Sequence, residues 1–326
     1  MKETNSGVCE HSEFLFYETI SRDKFGGGER SYGETMGAYA YEAPSNLSDA
    51  IALLDDHAKE GKRAQILAGG TDLLVQMRSV DNAPRTIIDV KSLEETNRLD
   101  IGDEIYIGSA IPSAQLYENE ELKNLLPGLI EASDLIGSTQ IQGRATMGGN
   151  LCNSSPAGDS IPAMIAVGAV CDIAGVSGSR ELPVEDFVTG VGTNALSDGE
   201  LLLGLKIKKP ASNSRDAYLR FIPRTEMDIA VAGCGVSVTM DGNQCVEARV
   251  AIGAVAPTAL LVPDAAAALV GTGLDEAALA AAGEACTNAS SPISDKRGTA
   301  EYRKKVVAVL CRRATAIAAD RARGGD

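Results

Sequence analysis

"ILAGGTDLLVQM", residues 66–77, sets two adjacent glycines between an apolar run that reads as a strand and a run with helical spacing. Glycine inside a regular element is destabilising, so two together need a local reason. A tight strand-to-helix turn is one. Close approach of a ligand to bare backbone is the other, with phosphate at the start of a helix as the usual guest. The stretch is not G-x-G-x-x-G and no Gly-Lys-Ser/Thr follows it, so neither a dinucleotide-binding Rossmann fingerprint nor a P-loop is present.

Working outward, AQILAG (64–69) reads as a buried strand, and a helix follows from about Asp72 to Ser79. Upstream, Pro44-Ser45 opens a helix whose Leu47, Ala50, Ile51 and Leu54 share one face. TIIDV (86–90) and EIYIGSAI (104–111) read as strands, so residues 39–95 form a small α/β unit. A helix rich in Leu and Glu spans Ser113–Ile136, and AVGAVCDIAG (166–175) and ELLLGLKI (200–207) read as strands of a second unit, 96–210. The break at Lys208–Arg215 marks a boundary. Beyond it, in 211–326, come the strand-like AYLRF, DIAVAGCGVSVTM and CVEARVAIGAV, the last two joined by the hairpin signal DGNQ (241–244). A final helix from Thr299 sets Tyr302, Val306, Leu310, Ala314 and Ile317 on one face, a stripe that reads as core. Residues 1–38 lack periodicity and read as a flexible N-terminal extension.

Composition narrows the chemistry. At 326 residues with 44% hydrophobic and 23% charged residues, the chain is an ordinary globular one with room for more than one domain. No apolar run reaches a membrane span, and the polar start MKETNSGVCEHSE is unlike a signal peptide. Seven cysteines without CxxC spacing suit a reducing cytoplasm. A net charge of −15 argues against nucleic acid as a partner. The two histidines, His11 and His57, have no companions at metal-ligand spacing and read as surface residues. Neither serves Ser-His-Asp or Cys-His chemistry, so there is no candidate catalytic side chain and no metal site. Any hard chemistry falls to a bound cofactor.

A second stretch, QIQGRATMGGNLCNSSPAGDSIPAM (140–164), repeats the chemistry of the first. Thr146-Met147-Gly148-Gly149-Asn150 again joins a hydroxyl, two bare backbone positions and a side chain that hydrogen-bonds. Two such loops can hold a pyrophosphate without lysine, with Thr71, Thr146 and Asn150 adding donors. Asp159 suits sugar or ribityl hydroxyls, Asp72 reads as a helix N-cap or first-turn residue, and Cys152 as a small packed hydrophobe.

Together these residues carry a resemblance. From about Tyr39 to Ala319 the chain resembles the FAD-binding medium subunit of the molybdenum hydroxylases, the xanthine dehydrogenase and aerobic carbon monoxide dehydrogenase family. The shared motifs are LAGGTDLL (67–74), TMGGNLCNSSPAGD (146–159), VGTNALSDGELL (191–202), the Tyr218-x-Arg220-x-x-x-Arg224-x-x-x-Asp228-x-Ala230 pattern and GTAEYRKKVVAVL (298–310). The resemblance implies an α+β, PCMH-type fold, in which FAD lies extended between two α/β subdomains (39–95 and 96–210). Residues 211–326 form a C-terminal α+β domain of the carbon monoxide dehydrogenase flavoprotein type, a three-stranded antiparallel sheet with helices.

By motif position, Leu67, Ala68, Gly69, Gly70, Thr71, Asp72 and Leu73, with Thr146, Gly148, Gly149 and Asn150, grip the pyrophosphate and ribityl regions. Cys152 falls near the adenosine end or the ribityl chain, and Gly158 and Asp159 meet hydroxyls. Ile136 packs on the flavin ring, Leu202 makes an apolar contact with it, and Arg220 is the basic residue at its polar edge. The chain departs from the family at Gln142-Gly143, where a basic residue and an amide are usual, and at Arg220, commonly lysine. The implied partners are a large subunit with molybdenum–molybdopterin and a small subunit with 2Fe–2S clusters, in a heterotrimer or its dimer. Electrons would pass from the clusters through FAD to an external acceptor. A self-contained FAD-dependent oxidoreductase is the alternative, weakened by the scarcity of histidine and aromatic residues. A flavin-free scaffold is a third, weakened by the intact loops.

Overall fold

The computed structural model describes residues 39–79, 83–224 and 227–325, so the expectation for residues 1–38 lies outside the described residues. The chain opens with β1 (Tyr39–Glu42), α1 (Leu47–Lys59), β2 (Ala64–Leu67), α2 (Leu73–Ser79) and β3 (Arg85–Asp89). The strands form a parallel sheet in the order β1-β3-β2. Asn46 caps α1 by accepting the Asp49 N–H, and the expected face is the inner one, with Ala50 and Leu54 buried. His57 is half-buried rather than a surface residue: its ring nitrogens bond Leu53 O and Thr86 Oγ1, both at 2.8 Å, tying α1 to β3.

The second unit continues through α3 (Glu94–Asn97), β4 (Leu99–Ile101), β5 (Glu104–Gly108), α4 (Ser113–Tyr117), α5 (Glu120–Leu125) and α6 (Pro127–Asp134). The single helix expected over 113–136 is thus three. Asn119 caps a new start by accepting the Leu122 N–H, and Pro127 opens another. Next come α7 (Thr139–Gln142), α8 (Met147–Asn153), α9 (Ser160–Ala166), β6 (Val170–Gly175), β7 (Gly178–Pro183), α10 (Val184–Phe187), β8 (Val188–Gly190), β9 (Thr193–Asn194) and β10 (Leu201–Lys208). The strand expected from 166 starts at Val170, because α9 runs to Ala166 and Gly168 turns the chain with φ +69°. The resulting sheet is antiparallel, in the order β4-β5-β10-β6-β7. Leu201 and Leu203 of β10 share a core with Ala50, Leu54 and Ile88 of the first unit, so the two units are packed as one body.

The third sheet holds β11 (Ser214–Phe221), β12 (Ala232–Asp241), β13 (Gln244–Gly253) and the two-residue β14 (Leu260–Leu261), all antiparallel. The β12–β13 hairpin turns at Gly242, φ +57°, where DGNQ marked it. The short β14 extends the expected three-stranded sheet by two residue pairs. The helices α11 (Pro263–Leu269), α12 (Glu276–Ala289) and α13 (Ala300–Ala322) complete the chain. Strand alternation splits this sheet's faces. Tyr218 and Ala251 join the core of the second unit, whereas Ala217, Cys234 and Val236 pack on α12 and α13. The buried face of α13 carries Arg303, Val307, Leu310, Cys311, Ala314 and Ala318, while Tyr302 is exposed. This rotates the expected stripe, because Arg303 is drawn inward to Val231 O (2.8 Å) and Asp295 Oδ1 (2.7 Å).

Candidate functional site

β2 ends at Leu67, and its chain turns through Ala68–Asp72 into α2. Gly70 takes φ +75°, a conformation costly for any side chain. Gly69 has a different constraint. A Cβ there would stand 2.0 Å from Arg144 O, because the first glycine loop crosses the second backbone to backbone.

The second loop is pinned from both sides. Ser113 N donates to Ala145 O at 2.8 Å. The hydroxyl of buried Thr146 caps α8 by accepting the Gly149 N–H at 2.9 Å. Gly148 lies against Ser109, where a Cβ would be 2.5 Å away. Gly149 is the least crowded of the loop glycines: a Cβ there meets Thr146 Oγ1 at 2.9 Å and no backbone outside α8. Asn150 Oδ1 accepts from Ser160 Oγ at 2.8 Å, which fixes that side chain to the start of α9.

Between the loops runs a cleft of about 340 Å³, within the size range of small-molecule sites. Of the residues singled out in the sequence, Ala68, Gly69, Gly70, Thr71, Asp72 and Leu73 line one wall, and Thr146, Gly148, Gly149, Asn150 and Cys152 the other. Ile136 and Leu202 also line it. Leu67, Gly158, Asp159 and Arg220 do not. Gly158 backs Asn150, 2.9 Å from its Oδ1 by an added Cβ. Asp159 is turned to the third sheet, where Tyr218 Oη donates to one oxygen at 2.9 Å and Arg220 to the other at 2.6 Å. Burial raises the Asp159 carboxyl, with both donors opposing the shift, and raises the Tyr218 phenol well above its ordinary value.

Among the described residues, no lysine, arginine, histidine or tyrosine lines the cleft. Its two carboxyl groups differ in state. Asp72 is raised by burial. Glu200 is lowered by the Arg180 guanidinium, which bonds both of its oxygens at 2.7 Å. Burial pushes the Cys152 thiol up to about 12, so it is a neutral packing group and not a nucleophile. No group of three metal-ligating side chains occurs among the described residues, and none of their helices is long and apolar enough to cross a membrane.

Sequence reasoning missed Gln65, Gln76, Ser109, Asn153 and Glu200. Gln76 was within reach, since it stands one helical turn after Asp72. Ser109 was not, because its place depends on how β5 meets α8.

A cleft between two glycine loops, lined by exposed backbone and neutral donors beside two carboxyls and with no metal cluster among the described residues, fits the class of flavin-dinucleotide-binding proteins, in which the cofactor supplies the chemistry. Residues 35–210 match the family model of the FAD-binding domain in molybdopterin dehydrogenase, and residues 217–318 that of the CO dehydrogenase flavoprotein C-terminal domain. The chain is 34% identical over 288 residues to the carbon monoxide dehydrogenase medium chain of Afipia carboxidovorans, covering 88% of this chain and 99% of that one. It is 30% identical over 277 residues to the xanthine dehydrogenase FAD-binding subunit of Escherichia coli O157:H7, covering 84% and 94%. The solved carbon monoxide dehydrogenase from Hydrogenophaga pseudoflava matches with a TM-score of 0.83 at 30% identity, covering 88% of this chain and 99% of that one. The chain belongs to the family of FAD-binding medium subunits of carbon monoxide and xanthine dehydrogenases.

Proposed function

We propose that this chain is the electron-transfer subunit of a multi-subunit molybdenum hydroxylase. A large partner with molybdenum–molybdopterin oxidises the organic substrate, and a small partner with 2Fe–2S clusters delivers the electrons here for an external acceptor. When bound, FAD supplies the exchange between one-electron and two-electron carriers.

The chain's own residues bind and orient. Gly69 and Gly70 let the first loop meet the second, and Gly149 leaves backbone space for a pyrophosphate. Thr71 and Asn150 stand beside that space as donors. Ile136 and Leu202 give it apolar surface for a ring, and Arg180 neutralises Glu200 so that the anionic ligand meets less repulsion.

The observation that carries this reading is the cleft's lining: two glycine loops that expose backbone, with neutral hydrogen-bonding side chains beside them and, among the described residues, no histidine, tyrosine or lysine to act on a substrate. That separates it from a self-contained flavoenzyme. The six described cysteines, all unpaired thiols, support a reducing, cytoplasmic setting. Co-purification from the native host tests the proposal. Stoichiometric FAD, iron and molybdenum, with flavin absorbance that bleaches when substrate is added to the complex, are the expected result. Turnover of an organic substrate by this chain alone would contradict it.

A further inference from the structure

Two residues given no role in the sequence reading join the walls of the cleft. Gln76 Nε2 donates to Asn153 Oδ1 at 3.0 Å, linking residues 77 positions apart. Both line the cleft, Gln76 from α2 and Asn153 from the end of α8. Each helix follows one of the two loops, so this bond spans the space the loops enclose.

The two sides are not held equally. Asn153 sits on a fixed support: Ser154 takes the left-handed conformation at φ +52° and accepts the Gly192 N–H at 3.0 Å. Asn194 Nδ2 also bonds Cys152 O, at 3.0 Å. The α2 side is lightly packed. Among its described side chains only Leu73 is buried, while Leu74 and Val75 are 50% and 62% exposed. An element with so little buried surface opens at low cost. The tie to Asn153 therefore bears on whether α2 stays closed.

We infer that Gln76 and Asn153 form a clasp that closes α2 over the bound dinucleotide and slows its release. Both are positioning residues and take no part in electron transfer. The inference rests on the reading of this cleft as the FAD site.

The test is the rate at which FAD leaves the purified full-length chain on large dilution into flavin-free buffer, followed by the rise in fluorescence of the released flavin. Loss of one neutral hydrogen bond predicts release about fivefold faster in Gln76→Ala and in Asn153→Ala. The double variant should release no faster than the faster single variant, because one bond is lost in all three. The exchange Gln76→Asn with Asn153→Gln keeps the combined reach and should restore slow release. Wild-type release rates in both single variants, or a double variant whose effect is the product of the singles, would overturn the clasp. Failure of the wild-type chain to retain FAD would instead overturn the reading of the cleft, and the clasp with it.

Discussion

Gly69 and Arg144 meet backbone to backbone, so that a Cβ on the glycine would stand 2.0 Å from the arginine carbonyl oxygen. This crossing makes two loops far apart in sequence into one site. The glycine is needed for loop-on-loop packing, and backbone atoms on the other side have no rotamer with which to yield. Gly69→Ala should therefore destabilise the protein by about 1–3 kcal/mol, the usual cost of overpacking. Urea unfolding of the apo chain measures it, and an unchanged midpoint would show that the loops part easily.

A pyrophosphate held with no lysine or arginine among the described lining residues should respond weakly to salt. Screening acts on charge pairs, with a Debye length that falls from roughly 10 Å at 0.1 M to 3 Å at 1 M. The FAD dissociation constant is predicted to change less than about twofold between these salt concentrations. Titration by flavin fluorescence checks this, and a tenfold weakening would place a cation at the phosphate.

Asp216 couples the flavin-binding part to the third sheet. It is 3% exposed, its Oδ2 accepts the Leu129 N–H of α6 at 2.7 Å, and its Oδ1 has no partner. Glu131 on α6 and Arg321 on α13 are the charged groups that face it. Burial pushes its carboxyl up to about 7 from 3.8. The folded state therefore holds a proton that the unfolded chain gives up, and stability is lost as pH rises from about 4 through 7. The slope is bounded by about 1.4 kcal/mol per pH unit in that window. Unfolding at pH 5 and pH 8 should show wild type losing more stability than Asp216→Asn. Parallel losses in the two proteins would remove Asp216 as the cause.

Cys152, with its thiol at about 12, should resist alkylation although it lines the cleft. At pH 8 only about one thiol in ten thousand is ionised at such a value. Mass spectrometry after iodoacetamide treatment of the folded apo chain should find Cys152 unmodified. Rapid labelling would mean that the cleft lowers the thiol's pKa.

Much of this was legible in the sequence because it depended on local pattern. The apolar face of α1, the DGNQ hairpin and the Thr299 cap of α13 follow from periodicity and turn chemistry. Both glycine loops stood out because paired glycines conflict with the elements around them. What escaped notice was set by tertiary contact. Arg303 falls outside the apolar stripe expected of α13, and only Val231 and Asp295 draw it into the buried face. Asp159 and Arg220 read as separate ligand contacts, and nothing local shows that they bond each other. Asn153 is one residue past Cys152, yet nothing local pairs it with Gln76.

The central claim, that the two glycine loops together hold FAD, is tested most directly at Gly149. Gly149 lines the cleft, and a Cβ there stands 2.9 Å from Thr146 Oγ1, so the α8 cap must give slightly while no backbone outside α8 is struck. The measurement is the flavin-to-protein ratio of purified Gly149→Val, with circular dichroism and gel filtration confirming its fold. A folded protein without FAD is the predicted result. A folded Gly149→Val that keeps a full complement of FAD would contradict the account.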